Sequence, residues 1–293
     1  MTGTLYVVGT PIGNLGDLSP RAVEVLGTVD FIAAEDTRVT RKLLTHFGIQ
    51  KPLLSYFEHN KRARGEVVLS RILAGESCAL VSDAGMPAIS DPGEDLVRQA
   101  HVQGIPVVSV PGPSAVTTAL ALSGMPTGRF TFEGFLSVNQ KNRRAHLQEV
   151  ASERRTMVFY EAPHKLLSTL KDMLAAFGDR EIAIVRELTK IHEEVRRTTL
   201  SQAVEFYTNT PPRGEFVLVI GGAEPPKKET GTLEDALLLA RAAVAEGKST
   251  AAAAREAAAA TGCRRQEIYR LLTAPDLKKA AVSPEAEGGT SVD

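Results

Sequence analysis

The chain has 293 residues, a formal net charge of −1, 43% hydrophobic and 24% charged residues. Its length exceeds what one hydrophobic core commonly serves, so two domains are expected, and the composition excludes a disordered or fibrous chain. No apolar run reaches the roughly 20 residues of a membrane span. The first basic residue is Arg21, whereas a secretory signal has basic residues near its start. Cys78 and Cys263 have no cysteine partner at the spacing of a metal site. We therefore expect a cytoplasmic protein with no membrane association, no disulfide and no metal site.

Short apolar runs alternate with amphipathic stretches through the first 124 residues. Helices are predicted at 20–26, where Ser19 and Pro20 favour a start, and at 39–47, which Gly48 ends. The apolar runs predict buried strands at 4–9, 31–34, 78–81 and 106–110. This alternation is typical of a mostly parallel sheet with helices on both faces.

A second α/β unit is expected from about Arg129. Helices are predicted at 141–152 and 164–177, and strands at 130–135, 156–160, 182–185, 195–200 and 216–220. Because only one clear helix separates the last three strands, this sheet is predicted to be mixed.

The sequence thus predicts an N-terminal α/β domain at 1–124 and a second α/β domain at 125–223. A proline-rich, charged linker at 224–231 leads to a small helical unit at 232–276, with helices at 233–245, 249–260 and 264–272. Gly247 and Gly262 stand where helix C-caps are expected. The last residues, 277–293, are expected to be disordered.

Three glycine-containing loops follow predicted strands in the first domain. They read GTPIGNLGDL (9–18), SDAGMPAISDPG (82–93) and VPGPSA (110–115). Ligands of open α/β sheets bind at the carboxyl ends of the strands, and glycine lets the backbone approach a ligand closely. Each loop by itself fits an ordinary turn, and none matches a Rossmann or P-loop pattern. Together they predict a ligand cleft.

These loops, together with AAEDTRVTRKLL, YEAPHKL, RELTK and GEFVLVI, resemble in order the tetrapyrrole-methylase-like methyltransferases, over about residues 4–222. Within that superfamily they resemble the ribosomal small-subunit RNA methyltransferase I family, which methylates the ribose 2′-hydroxyl of a cytidine in 16S rRNA. The resemblance implies two α/β domains with the cofactor cleft between them, S-adenosyl-L-methionine as cofactor, the small ribosomal subunit as partner, and a homodimer. The first loop reads TPIGN where tetrapyrrole enzymes carry a G-P-G-D type sequence, which argues against a tetrapyrrole acceptor.

The same resemblance implies a set of cofactor-binding positions. A helix N-terminus after VPGP suits the cofactor's carboxylate, and an acid such as Asp83 suits its positively charged groups. For Asp83 the alternative is a helix cap or Asx-turn. The implied positions are Pro11, Asp83, Ala84, Met86, Ser114, Ala115, Tyr160, Glu161 and Ala183.

Methylation of a ribose hydroxyl is helped by a base that takes its proton. Glu35 and Asp36 follow a predicted strand and so lie at the cleft end of the sheet; Lys190, Glu58 and His59 are further candidates. The alternative for the first two is a helix N-cap followed by an ordinary first turn. Among these catalytic candidates the sequence favours Asp36.

A net charge of −1 argues against a nucleic-acid partner, but the charge is unevenly distributed. Residues 37–65 hold seven basic residues against one acid, a local charge of +6, and Tyr56, Phe57 and His59 add rings that could stack on a base. A second basic run contains Lys141, Arg143, Arg144, Arg154 and Arg155. The predicted RNA contacts are Arg38, Arg41, Lys42, His59, Lys61, Arg62 and Arg64, with Arg264 and Arg265 in the helical unit.

Each basic cluster could instead be a solvated helix face. A small-molecule methylase of the same fold, and a regulator that binds the cofactor without transferring its methyl group, are the competing functions. RNA binding would depend steeply on salt, whereas binding of a compact neutral acceptor would not.

Overall fold

The computed structural model describes residues 2–224 and 231–274. The chain divides into two compact units, 1–223 and 224–293. Most of the linker expected at 224–231, and all of the tail expected at 277–293, lie outside the described residues. Within the described part of the chain, no helix is long and apolar enough to cross a membrane.

The first unit begins with a five-stranded sheet in the spatial order β3-β2-β4-β1-β5, and every neighbouring pair is parallel. The strands are β1 (Leu5–Val8), β2 (Phe31–Ala34), β3 (Leu53–Ser55), β4 (Cys78–Val81) and β5 (Val107–Val110). One face packs against α1 (Pro20–Thr28) and α2 (Thr37–His46), and the other against α3 (Lys61–Leu73) and α4 (Gly93–Val102). This confirms the predicted parallel sheet with helices on both faces.

The helix ends differ from the predicted ones at a few positions. α1 starts as expected, with the Ser19 hydroxyl accepting from the backbone of Ala22 at 3.1 Å, but it continues through Gly27 to Thr28. α2 starts at Thr37 rather than Val39 because Asp36 caps it. α3 is not predicted from the sequence pattern, because its basic first turn resembles an exposed segment although its later apolar residues face the core.

The second sheet has the order β6-β7-β10-β8-β9. Its strands are β6 (Phe130–Phe135), β7 (Thr156–Glu161), β8 (Glu181–Arg186), β9 (Glu194–Thr199) and β10 (Phe216–Ile220). β6 pairs with β7 in parallel and the other pairs are antiparallel, which confirms the mixed sheet. One face packs against α6 (Gln140–Glu149), α7 (Pro163–Phe177) and α8 (Leu200–Asn209). The opposite face packs against α5 (Ala115–Ser123), the helix that follows β5 of the first sheet.

The second unit contains α9 (Leu233–Ala245), α10 (Thr250–Thr261) and α11 (Arg265–Thr273), each within one residue of its predicted position. Its core consists mainly of buried alanines, with Ile268 from α11. Thr232 and Asp235 form a reciprocal capping box at the start of α9, and Gly262 ends α10 with a φ of +74°.

Candidate functional site

A cavity of about 530 Å³ lies between the two sheets of the first unit. The first sheet contributes residues that follow β1, β2, β4 and β5, so the wall is formed at the carboxyl ends of its strands. The second sheet contributes residues from β6, β7, β8 and β10. The volume falls in the range of about 300–1,000 Å³ that is typical of small-molecule sites. The position agrees with the ligand cleft predicted from the three loops.

Glycines hold those three loops against one another. A Cβ added to Gly9 would stand 2.6 Å from the Cα of Gly112 and 2.7 Å from Sδ of Met86. Thr10 and Gly85 exchange two backbone hydrogen bonds, of 2.9 and 3.1 Å. The loops after β1, β4 and β5 therefore touch through their backbones, which requires residues without side chains at the crossing.

Seven of the nine implied cofactor positions line this cavity: Asp83, Ala84, Met86, Ser114, Ala115, Tyr160 and Glu161. Pro11 is not among the lining residues, although its neighbour Ile12 is. Ala183 is fully buried in the core between α5 and the second sheet. Four apolar lining residues are not predicted from the sequence, because apolar side chains on strands and turns do not distinguish a ligand wall from a core: Ile12, Val185, Leu188 and Val217.

The polar groups of the cavity favour a negative ligand charge at one place and a positive one at another. The N-terminus of α5 opens on it at Ser114 and Ala115, and the Ser114 side chain makes no capping hydrogen bond there. Glu35, Asp83 and Asp91 also line the cavity. A helix N-terminus favours a carboxylate, whereas an acidic cluster favours a cation. The site therefore fits a dipolar ligand that carries both.

Glu35 is a cavity acid whose pKa is raised by its surroundings. Burial raises the pKa of Glu35, the neighbouring charges of Asp83, Asp91 and Asp36 raise it further, and a hydrogen bond from the backbone of Asp83 offsets only part of this. Burial likewise raises the pKa of Asp83, whose Oδ1 accepts from the backbone N–H of Asp36 at 2.9 Å. A carboxylate with a raised pKa is a stronger proton acceptor than an ordinary one.

The environment of Asp36 does not favour the role of the base. Its carboxylate caps α2 by accepting from the backbone of Arg38 at 2.8 Å, and it pairs with the Arg38 guanidinium at 2.6 Å. The hydrogen bonds from the Arg38 side chain, followed by those from the backbone, lower the pKa of Asp36 to about 2. Asp36 does not line the cavity. Asp36 therefore has the geometry of the helix-cap alternative. The assignment of Asp36 as the base stays a prediction.

The other base candidates are also in unfavourable positions. Lys190 Nζ lies 2.9 Å from Glu187 and 2.8 Å from Glu215. Burial lowers the pKa of Lys190, but the two carboxylates outweigh this and raise it, so the amine keeps its proton. Glu58 pairs with Lys61 at 2.8 Å, and neither Glu58 nor His59 lines the cavity.

The predicted RNA contacts of the first unit comprise two groups of cations and His59, which is exposed with its ring centroid 6.1 Å from that of Phe57. Arg38 is paired with Asp36, and Lys61 with Glu58 and Asp95. Four further side chains are exposed and form no ion pair with any described residue: Arg41 and Lys42 on α2, and Arg62 and Arg64 on α3. α2 and α3 cover opposite faces of the sheet, but both begin after the carboxyl end of a strand. The free cations therefore flank the sheet edge at which the cavity lies.

One suggestion about this surface is wrong, and part of the second basic run is paired within the fold. Tyr56 is buried and donates a hydrogen bond to the carbonyl of Pro92 at 3.1 Å, so its ring cannot stack on a base. In the second basic run, Arg143 is buried and pairs with Asp172 at 2.7 Å, and Arg155 pairs with Glu153. Arg143 thus ties α6 to α7, which a sequence pattern does not distinguish from a solvated cation, whereas Arg155 pairs only locally and stays exposed.

Comparison with known proteins agrees with this architecture. The family model of the tetrapyrrole (corrin/porphyrin) methylases matches residues 4–204. Ribosomal RNA small subunit methyltransferase I of Synechocystis sp. is 48% identical over 270 residues, which cover 92% of this chain and 97% of that protein. The protein of the same name from Thermotoga maritima is 50% identical over 222 residues, 76% of this chain and all of that protein.

Solved structures share the fold at much lower identity. Uroporphyrin-III-C-methyltransferase from Thermus thermophilus aligns with a TM-score of 0.54 and 19% identity, over 75% of this chain and 94% of that one. A diphthine synthase aligns with a TM-score of 0.56 and 15% identity, over 75% of this chain and 90% of that one. Together with the two sheets and the intervening cavity, these matches confirm the predicted fold class.

Proposed function

This chain belongs to the ribosomal RNA small subunit methyltransferase I family within the tetrapyrrole methylases, and we propose that it methylates the ribose 2′-hydroxyl of a cytidine in 16S rRNA, using S-adenosyl-L-methionine. The observation that carries the proposal is identity near one half over almost the full length of the Synechocystis relative. The chemistry of the cavity is consistent with it.

The cavity fits S-adenosylmethionine because this molecule has both an α-carboxylate and positively charged groups. When bound, it supplies a methyl group on a positively charged sulfur, which is a good leaving group. In this proposal the N-terminus of α5 at Ser114 and Ala115 holds the carboxylate, and Asp83 holds a cationic group. Ile12, Val217 and Tyr160 provide the apolar walls for the adenosine.

Glu35 is the proton acceptor in this proposal, in place of Asp36. It lines the cavity, and burial and the neighbouring acids raise its pKa above the ordinary value of 4.5. The proton of the attacking ribose hydroxyl passes to its carboxylate as the new oxygen–carbon bond forms. A positioned base of this kind contributes roughly 10²–10⁴-fold to a rate.

The cations favour an RNA acceptor over a compact one. Arg41, Lys42, Arg62 and Arg64 flank the cavity edge, and Arg264 and Arg265 stand at the N-terminus of α11. Cations are unfavourable at a helix N-terminus, so the stability of α11 gives no reason for them, whereas phosphate binding does. The homodimer and the cytoplasmic location stay predictions, the first to be checked by light scattering.

The proposal is tested by transfer of a tritiated methyl group from S-adenosylmethionine to small subunits purified from a strain that lacks the enzyme. We expect label in a single cytidine of 16S rRNA, mapped by nuclease digestion, with the adjacent phosphodiester resistant to alkali because its 2′-oxygen is blocked. Label on a base would contradict the 2′-O assignment. Label only in an added tetrapyrrole would support the small-molecule alternative.

A further inference from the structure

The ring of Phe135 is unusual because it is 58% exposed although it lines the cavity. Phe135 is the last residue of β6, the edge strand of the second sheet. Resting on the proposed function, we propose that this ring is the stacking surface for the base of the nucleotide that is methylated.

A β-bulge turns Phe135 toward the cavity. Phe132 pairs with Val158 and Phe135 with Tyr160, so three steps along β6 match two steps along β7. In a regular strand, Phe132 and Phe135 would lie on opposite faces, since side chains alternate. The bulge, at which Gly134 has a φ of +65°, places both on the face that carries Tyr160. Bulges next to active sites commonly re-aim a side chain in this way.

A ring contact and a backbone hydrogen bond position Phe135. Its centroid lies 5.2 Å from that of Tyr160, which in turn contacts Phe132 edge-on at 5.0 Å. The carbonyl of the next residue, Leu136, accepts a hydrogen bond of 3.0 Å from Lys165 Nζ, and this amine also pairs with the buried Glu161. A rigid ring loses little conformational entropy when a ligand stacks on it.

A second wall near Phe135 comes from the loop after β4. A Cβ on Gly134 would stand 3.4 Å from Oγ of Ser90, so this loop reaches the edge of β6. Ile89, which is 50% exposed, also lines the cavity. The Asp91 carboxylate shapes the closed loop by accepting from the backbone of Ala88 at 2.9 Å and of Gly93 at 2.7 Å. An aromatic and an aliphatic wall of this kind suit a flat ring system such as a nucleobase.

The position of β6 distinguishes this base from the adenine of the cofactor. The second-sheet residues proposed to contact the adenosine lie on β7 and β10, and β6 lies beyond β7 at the sheet edge. The surface at Phe135 thus lies at the β6 edge of the cavity, where the ring is open to solvent and accessible to a nucleotide of a large RNA.

The absence of tryptophan from the chain permits a direct test. Phe135→Trp places a single fluorophore on this surface, and Phe130→Trp places one on the same strand outside the cavity lining as a matched control. With S-adenosylhomocysteine present, we expect an unstructured cytidine-containing RNA octamer to quench the fluorescence at 135 and not at 130. The same octamer with an abasic residue replacing each cytidine is expected to quench it less. Quenching by S-adenosylhomocysteine alone would assign the ring to the cofactor and overturn the inference, as would equal quenching by the abasic octamer.

Kinetics on purified small subunits provide the second readout. Because stacking needs a ring rather than apolar volume, Phe135→Tyr should keep its activity, whereas Phe135→Leu and Phe135→Ala should lose about tenfold or more in kcat/KM with unchanged affinity for S-adenosylhomocysteine. Wild-type activity in Phe135→Leu would overturn the inference while leaving the proposed function intact. Wild-type enzyme that labels no small-subunit RNA would instead contradict the proposed function, whatever the fluorescence shows.

Discussion

Glu35 and Asp36 are adjacent acids with opposite environments. Glu35 lies in the cavity beside two further carboxylates, whereas Asp36 caps α2 and is paired with Arg38. The pKa of the first is raised by burial and that of the second is lowered by the guanidinium, so the first is the better proton acceptor. The sequence places both at the end of β2 but cannot tell which side chain turns inward.

Glu35→Gln is expected to lower the methylation rate by about 10²–10⁴-fold while leaving S-adenosylhomocysteine affinity within a fewfold. Asp36→Asn serves as the matched control, since asparagine caps a helix about as well as aspartate, and should keep most activity. The wild-type rate should fall as the pH drops through the raised pKa of Glu35. Single-turnover rates measured against pH check this, and an active Glu35→Gln with an inactive Asp36→Asn would return the role to Asp36.

Glu35→Gln should also stabilise the fold. Because the folded-state pKa of Glu35 lies above its ordinary value of 4.5, its charged form opposes folding, and stability is lost as the pH rises from 4.5 through the raised pKa. Glu35→Gln should therefore unfold at a higher temperature than wild type at pH 8 and at about the same temperature at pH 4. The exposed Glu66→Gln should show no such pH-dependent gain. Calorimetry at the two pH values decides, and a destabilised Glu35→Gln at pH 8 would contradict the argument.

At the scale of elements, the bulge in β6 shows where prediction from sequence stops. The span of β6 was predicted correctly, since aromatic and β-branched residues are evident in the sequence. The register shift at Gly134 was not, because a glycine in a strand fits a bulge, a bend or a close contact equally well. The seven lining positions are named in advance because the family resemblance implies them. Nothing in the sequence pattern marks Phe135 or Ile89 as lining residues.

Gly134→Ala tests the bulge. An L-residue at a φ of +65° costs about 1–2 kcal/mol, so we expect a loss of about that size in the free energy of unfolding, with weakened binding of the RNA octamer. Gly128→Ala is the control because it lacks a positive φ and a Cβ there would meet nothing within 4 Å. Urea unfolding measures both variants. Equal stability of Gly134→Ala and wild type would mean that the bulge tolerates a side chain.

For the whole molecule, local charge matters more than the total. A net charge of −1 coexists with cations that form no ion pair to any described residue, at the carboxyl edge of the first sheet. The sequence located this segment but also counted Arg38 and Lys61, whose carboxylate partners include the distant Asp95. Pairing across the fold is what composition cannot show.

Arg41→Ala combined with Arg62→Ala should weaken RNA binding and lower the slope of log affinity against log salt by about 1–2, since each lost phosphate contact removes somewhat less than one unit. The double variant Arg21→Ala with Lys171→Ala carries the same charge change at exposed positions on α1 and α7, outside the cavity lining. Filter binding at several salt concentrations compares the pairs. If both pairs change the slope equally, the effect comes from net charge alone.

α5 has a mechanical consequence for how ligands enter and leave. It is joined to β5 of the first sheet by four residues, 111–114, yet it packs on β8 and β10 of the second. A hinge that separated the sheets would have to expose this apolar interface or stretch that short connection. Ligand entry and release should therefore depend on local opening of the cavity loops. Backbone amides within 86–92 should exchange hydrogen faster than those of α5, and the rate of ligand release should be sensitive to the stiffness of those loops.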